Sequence, residues 1–253
     1  MEVHHHPHVP HQEKKWKQYF LEFLMIFLAV TMGFFAEGLR ERISENKQEK
    51  EIMRTMTKDL AADIIAINET LKEEKEYIKT SDSLIMILGK TNLDQQDMKK
   101  VYRLSRFNMS YDAVTFNKIA ISELKSNGGA KFIRNKKILK LITNYDLRSD
   151  EVVMQGKAVS DFSMKIIDQS NSFFDYRNFS KTGTIESGMN REKYAGNYHF
   201  LRNDPLQIRQ FSNLIFMKGA IIASYNRMLE NQKKEAIKLL KEIKLDYNIN
   251  DRE

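Results

Sequence analysis

Five histidines crowd the first eleven residues: His4, His5, His6, His8 and His11. Imidazole nitrogens at this density are able to bind a transition metal. Pro7, Val9 and Pro10 interrupt the run, and nothing around it would fix a coordination geometry. The expectation is therefore a flexible, weakly chelating tail and no confident metal site. One further histidine, His199, stands between Tyr198 and Phe200. A His-based acid/base or triad mechanism would rest on that residue alone, and it reads as an ordinary loop histidine.

Other catalytic chemistry lacks its material. The chain has no Cys, which removes disulfides, thiolate zinc sites and cysteine nucleophiles. No phosphate-cradling G-x-x-x-x-G-K-[ST] or G-x-G-x-x-G occurs, and no H-E-x-x-H. Acidic pairs such as Asp59 and Asp63, or Glu73 and Glu74, read as solvated helix surface. A carboxylate-bridged metal site in a helical bundle would bring Glu-x-x-His pairs, and the helical part of the chain has none. The expectation is a protein that is not an enzyme and carries no cofactor.

The net charge of +7 comes largely from two basic groupings, Lys131, Arg134, Lys136, Lys137, Lys140 and then Lys233, Lys234, Lys238, Lys241, Lys244. Groups of this kind contact anionic headgroups or nucleic acid, or they form a solvated helix face, which is the expected reading here. Phe132 is the lone aromatic residue among them, too little for a base-stacking platform, so no nucleic-acid partner is expected.

The element that would position everything else is the apolar run at residues 16–39. Between Lys17 and Arg40 there is no Lys or Arg, and Phe23 to Ala36 carries no charge of either sign. A helix of this span is about 36 Å long, enough to cross a hydrocarbon core of roughly 30 Å. Trp16 and Tyr19 sit where an interfacial aromatic belt belongs, with Lys14, Lys15 and Lys17 beside them, and Glu22 lies about one turn inside. Signal-peptide cleavage after Ala36 would need a small residue where Phe34 stands, which favours an uncleaved anchor. The lipid bilayer is thus the first expected partner.

Around this anchor the sequence predicts an all-α chain: a His-rich tail at 1–15, the transmembrane helix at 16–39, a charged helical stalk at 40–52, and an elongated antiparallel bundle of about four main helices over 53–253. Met53, Met56, Leu60, Ile64, Ile67, Leu71, Ile78, Ile85 and Leu88 recur at helical spacing. Shorter helices are predicted over 94–104 and 112–125, closed by Ser126-Asn127-Gly128-Gly129. Asn135 is the expected cap of the next helix. There Ile138, Tyr145, Val152, Val159, Ile166 and Phe173 fall at every seventh position, interleaved with Ile142, Ser149, Gly156, Ser163 and Ser170. Large residues at one core position and mostly small ones at the other suit close antiparallel packing. Within that row Gly156→Leu should overpack, whereas Gly156→Ala should stabilise.

Residues 180–204 lack periodicity and predict a long loop, the expected place for a binding surface. Asp204 and Pro205 open the last helix, whose core face is Phe211, Ile215, Ile222, Tyr225, Leu229, Ala236, Leu239 and Ile243.

Three stretches also carry a family resemblance. They are Phe20 to Ala36 with its early Glu22, Glu51 to Asp63 (EIMRTMTKDLAAD), and Ile121 to Tyr145 (ISELKSNGGAKFIRNKKILKLITNY). Over its first three-fifths the chain resembles a Bacteroidota family of uncharacterised single-pass membrane proteins, known by a domain-of-unknown-function label. The chain departs from that pattern at Gly38-Leu39-Arg40 and in the His-rich tail. The resemblance implies a membrane location and a helical domain, and no activity.

The expected function is a membrane-tethered interaction or scaffold module. The alternative is a ligand sensor acting through a membrane partner, since residues 1–15 are too short for an output domain. A membrane or periplasmic protein partner and a homo-oligomer are both compatible with this reading. The expected location is the bacterial inner membrane. Three lysines precede the span and Arg40, Arg42, Lys47, Lys50 and Arg54 follow it, yet long domains translocate largely regardless of such charges, so a periplasmic C-terminal domain is expected.

Overall fold

The computed structural model describes residues 15–111, 113–182 and 197–249. Of these, 85% are helical, with no named strand, so the chain is all-α. Its helices are α1 (Trp16–Leu88), α2 (Gln95–Met109), α3 (Ile119–Lys125), α4 (Lys136–Ser170) and α5 (Pro205–Tyr247), with 3-10 helices at Ser126–Phe132 and Tyr176–Thr182. The chain divides into two compact units after Glu51.

In the first unit, α1 is apolar on all sides from Phe23 to Ala36. Phe23, Phe27, Phe34 and Phe35 are all exposed, and the Thr31 hydroxyl returns its hydrogen bond to the Phe27 carbonyl at 2.8 Å, so the helix satisfies that polar group itself. By length and composition this stretch is able to span a membrane.

The second unit holds the core. From Ile52 onward α1 buries Met53, Met56, Leu60, Ile67, Leu71, Leu84 and Leu88. Ile64, Ile78 and Ile85, expected on that face, are only partly buried, and Asp63, Glu74, Tyr77 and Ser81 are buried instead. The buried row follows alternating steps of three and four through these polar residues, so an apolar count alone slips off it. Both α4 and α5 bury the predicted seams. The α5 seam also contains Lys218 and Gln232, which fill the two gaps in the apolar row.

Caps fall where the sequence placed them. The Asn135 side chain accepts from the N–H groups of Lys137 and Ile138, and Asp204 accepts from Leu206 with Pro205 in the first turn. Gly128 has φ +70, and a Cβ on Gly129 would lie 2.6 Å from the Glu123 carbonyl oxygen, so both glycines of that break are required.

Three boundaries differ from expectation. Helix α2 continues to Met109, because Val101, Leu104, Ser105 and Asn108 bury one continuous face. Helix α3 starts at Ile119, not near residue 112, because Val114 and Phe116 enter the core outside any helix. Phe173 lies past the end of α4, in a second cluster with Phe174, Phe179 and Phe211. Of the predicted loop, 183–196 lies outside the described residues. Its start joins the 3-10 helix at Tyr176–Thr182, and its end is pinned by a Phe174–Phe200 bridge and by Leu201 N–H donating to the Phe173 carbonyl.

Residue pairs fix the register between helices. Lys137 Nζ meets Glu242 at 2.7 Å, and Gln232 Nε2 donates to the Tyr145 carbonyl at 2.9 Å and to Ser149 Oγ at 2.7 Å. Gln169 donates to Gln210 at 3.4 Å. On α1, Asp63 receives the Tyr145 hydroxyl at 2.7 Å, and the Tyr77 ring lies 4.2 Å below Lys218 Nζ.

Candidate functional site

Buried polar groups are the most distinctive chemistry of the second unit. Lys218 has no exposed surface, although it is a lysine. Its Nζ donates to the carbonyls of Asn108 and Ser110, each at 3.1 Å, which are acceptors left open by the end of α2. The Tyr77 ring supplies a cation–π face, and Glu74 supplies opposite charge. Burial brings the lysine down to about 8 from its ordinary 10.5, against the attraction of Glu74. Burial likewise pushes Glu74 up to about 7, which Lys218 opposes. This lysine closes a helix end inside the core; with both acceptors engaged and no exposure, it is not placed to attack a substrate.

Next to it, Tyr111 and Tyr225 converge on Gly156. A Cβ there would lie 2.7 Å from the Tyr111 hydroxyl and 3.3 Å from that of Tyr225. The glycine therefore makes room for two phenols, and the expected gain from alanine is not supported by this geometry. Tyr225 Oη also accepts from the Val114 N–H at 3.3 Å, holding the segment between α2 and α3.

A second polar layer lies along α1. Asp63, fully buried, accepts from the backbone N–H and the side-chain amide of Asn117 and from Tyr145 Oη. Burial raises its pKa, which those three donors counteract. Asp59 accepts from the Ala120 N–H at 2.9 Å, at the start of α3. Asp59, Asp63 and Glu74 are thus buried, contrary to the solvated surface expected of them: backbone, amide and phenol donors replace water at the two aspartates, and the charge of Lys218 opposes the burial of Glu74. Asp146 is also buried; burial would raise its pKa, but ion pairs with Lys125 and Lys118 bring it below the ordinary value.

At the opposite end, Tyr102 Oη donates to the His199 carbonyl at 2.6 Å and accepts from the Asp175 N–H at 2.9 Å. His199 is exposed, with Nδ1 2.8 Å from the Asn197 carbonyl and Nε2 3.9 Å from Asp175, itself gripped by Arg177. His199 also lines a groove of about 770 Å³ together with Lys90, Gln95, Tyr198, Phe200 and Arg209.

The histidines His4, His5, His6, His8 and His11 lie outside the described residues, and among the described residues no group of three or more metal-ligating side chains occurs. Trp16 and Tyr19 are exposed on the first unit, Trp16 stacking on Phe20 with ring centroids 6.2 Å apart, and Glu22 follows on the same helix. Sequence reasoning missed Lys218, Glu74 and Asp63 as interior groups. The available signal was position: Lys218 falls between Ile215 and Ile222 in the seam. No protein-family model matches the chain, and no curated protein or solved structure is detectably similar to it.

Proposed function

We propose that the chain is a single-pass membrane protein of the bacterial inner membrane, with a periplasmic helical bundle that acts as a non-enzymatic interaction scaffold. The observation that carries this reading is the apolar stretch of the first unit, none of which is buried, followed along the chain by a second unit with its own core. An exposed apolar run of that length needs a non-aqueous surrounding. Its proposed partners are the bilayer, a membrane or periplasmic protein, and a second copy of the chain. Membership of the Bacteroidota family rests on the three stretches named above.

The bundle is read as antiparallel between α4 and α5. Support comes from the pairs Lys137–Glu242, Tyr145–Gln232 and Gln169–Gln210, in which residue number climbs on one helix as it falls on the other. Carbonate extraction of membranes and a reporter fused after Glu253 test the location. Release by carbonate, or a fusion active only in the cytoplasm, refutes anchoring or orientation respectively. In-cell crosslinking followed by affinity purification tests the scaffold role, and the absence of any reproducible membrane or periplasmic partner counts against it.

A ligand sensor is the second reading, favoured by the groove beside His199, whose lining combines apolar walls with cationic and amide groups. A sensor requires a ligand that alters partner binding; Arg209→Ala and His199→Ala leaving that binding unchanged would count against it.

A further inference from the structure

The two basic groupings are about a hundred residues apart in sequence, yet the helices bring them to one end of the second unit. Lys137 at the start of α4 pairs with Glu242 near the end of α5, and the Asn135 amide donates to Asp246 at 3.1 Å. Over residues 125–140 and 233–246 there are eleven Lys and Arg against three acids, an excess of eight on a chain whose net charge is +7. Two of those acids, Glu242 and Asp246, are already engaged with Lys137 and Asn135. Lys131, Lys140, Lys238 and Lys241 are exposed, as is Leu245.

The same end receives the chain from the span. In the register set by Asp63 with Tyr145 and Tyr77 with Lys218, Ile52 falls level with the start of α4 and the end of α5. Twelve residues, Arg40 to Glu51, lie between Leu39 and Ile52, a connection of about 20 Å as helix and at most about 47 Å fully extended.

Resting on the membrane-anchored reading above, we propose that this basic end docks on the anionic lipid headgroups of the bilayer that holds the anchor. The charge has the sign that anionic headgroups require, exposed Leu245 offers an apolar contact for the interface, and the length of the connection limits how far the basic end can move from that surface. A nucleic acid fits less well, since Phe132 remains the lone aromatic residue among the cations.

The test uses the full chain in lipid nanodiscs of phosphatidylcholine alone or with about 30% phosphatidylglycerol as the anionic lipid. Lysine acylation is followed by mass spectrometry at low salt and at about 0.5 M salt. Acylation of Lys131, Lys140, Lys238 and Lys241 should slow several-fold in the anionic discs, with Lys157 and Lys165 unchanged, and salt should abolish the difference. Backbone hydrogen exchange of residues 128–140 should slow in parallel. That protection should be lost when the four lysines are changed to Gln, but kept when Lys72, Lys75, Lys157 and Lys165 are. Equal acylation in both lipids overturns the proposal, as does protection that depends on a co-purifying acidic protein and not on the lipid. A chain that enters neither disc refutes the anchor reading and this proposal with it, an outcome visible before any lysine is scored.

Discussion

Replacing Lys218 with Met keeps an unbranched stem in the core while removing one buried cation and both donors to the end of α2. The carbonyls of Asn108 and Ser110 would each lose a partner now 3.1 Å away, at about 1–3 kcal/mol for the buried Asn108 carbonyl and less for that of Ser110, which water can reach. Glu74 would lose its opposing charge, while the cost of keeping an ammonium out of water would disappear. These terms oppose each other, and a net destabilisation of about 2–4 kcal/mol at neutral pH is expected. The pH profile separates this account from generic damage. Lys218 titrates near 8 when folded and near 10.5 otherwise, so between those values the unfolded chain binds more protons and stability rises with pH. At about 1.4 kcal/mol per pH unit, that limb amounts to about 3 kcal/mol.

Glu74 acts with the opposite sign. Its folded pKa is about 7, above the ordinary 4.5, so its contribution is full below 4.5 and is lost as pH rises to 7. Together the pair predicts a stability minimum between about pH 7 and 8. Above pH 10 the buried tyrosines Tyr77 and Tyr145, whose pKa values burial raises, reverse the alkaline limb, so measurements belong between pH 8 and 10. The assay is urea unfolding of the detergent-solubilised chain, followed by far-ultraviolet circular dichroism at fixed pH. Wild type should gain stability from pH 8 to 10, and Lys218→Met should not. A variant that retains the full alkaline limb would refute the assignment of Lys218 as the buried titrating cation.

Gly156→Ala should lower stability by about 1–3 kcal/mol, because the new methyl meets the Tyr111 hydroxyl, and Tyr111→Phe in the same chain should recover part of the loss; an increase in Tm on Gly156→Ala would refute the close approach. Tyr145→Phe should cost about 1 kcal/mol and Asp63→Ala about 3 kcal/mol or more, since Asp63→Ala strands three donors. A double-mutant cycle between them should show coupling above about 0.5 kcal/mol, and strict additivity would mean that the hydrogen bond carries nothing. If Glu22 pairs with another membrane helix, Glu22→Leu should insert normally but lose a co-purifying membrane partner that Glu22→Gln partly keeps; unchanged partners and oligomeric state in Glu22→Leu would remove that role.

The seams of α4 and α5 were legible because apolar or small residues occupy nearly every core position, so a step of seven is visible without any partner helix. On α1 the same alternation of three and four passes through Asp63, Glu74 and Ser81, and an apolar count drifts onto Ile78 and Ile85. What the sequence concealed was therefore one class of residue: polar groups at core positions, each of which looks like surface until its partner on another helix is known. Those partners are themselves seam residues. Asp63 meets Tyr145, Gln232 meets Ser149, and Glu74 and Tyr77 meet Lys218. A slip of α5 by one heptad along α1 would keep most apolar contacts, yet it would set Lys218 against Ile67 and Thr70, or against Ser81 and Leu84. Either arrangement leaves a buried ammonium without Glu74 and without the Tyr77 ring, at a cost of about 3–5 kcal/mol. The apolar seams thus make helices that associate, and the polar layers select the register in which they do so. A fixed register is what places residues 131–140 beside residues 233–244, so the buried polar layers also set where the exposed lysines fall.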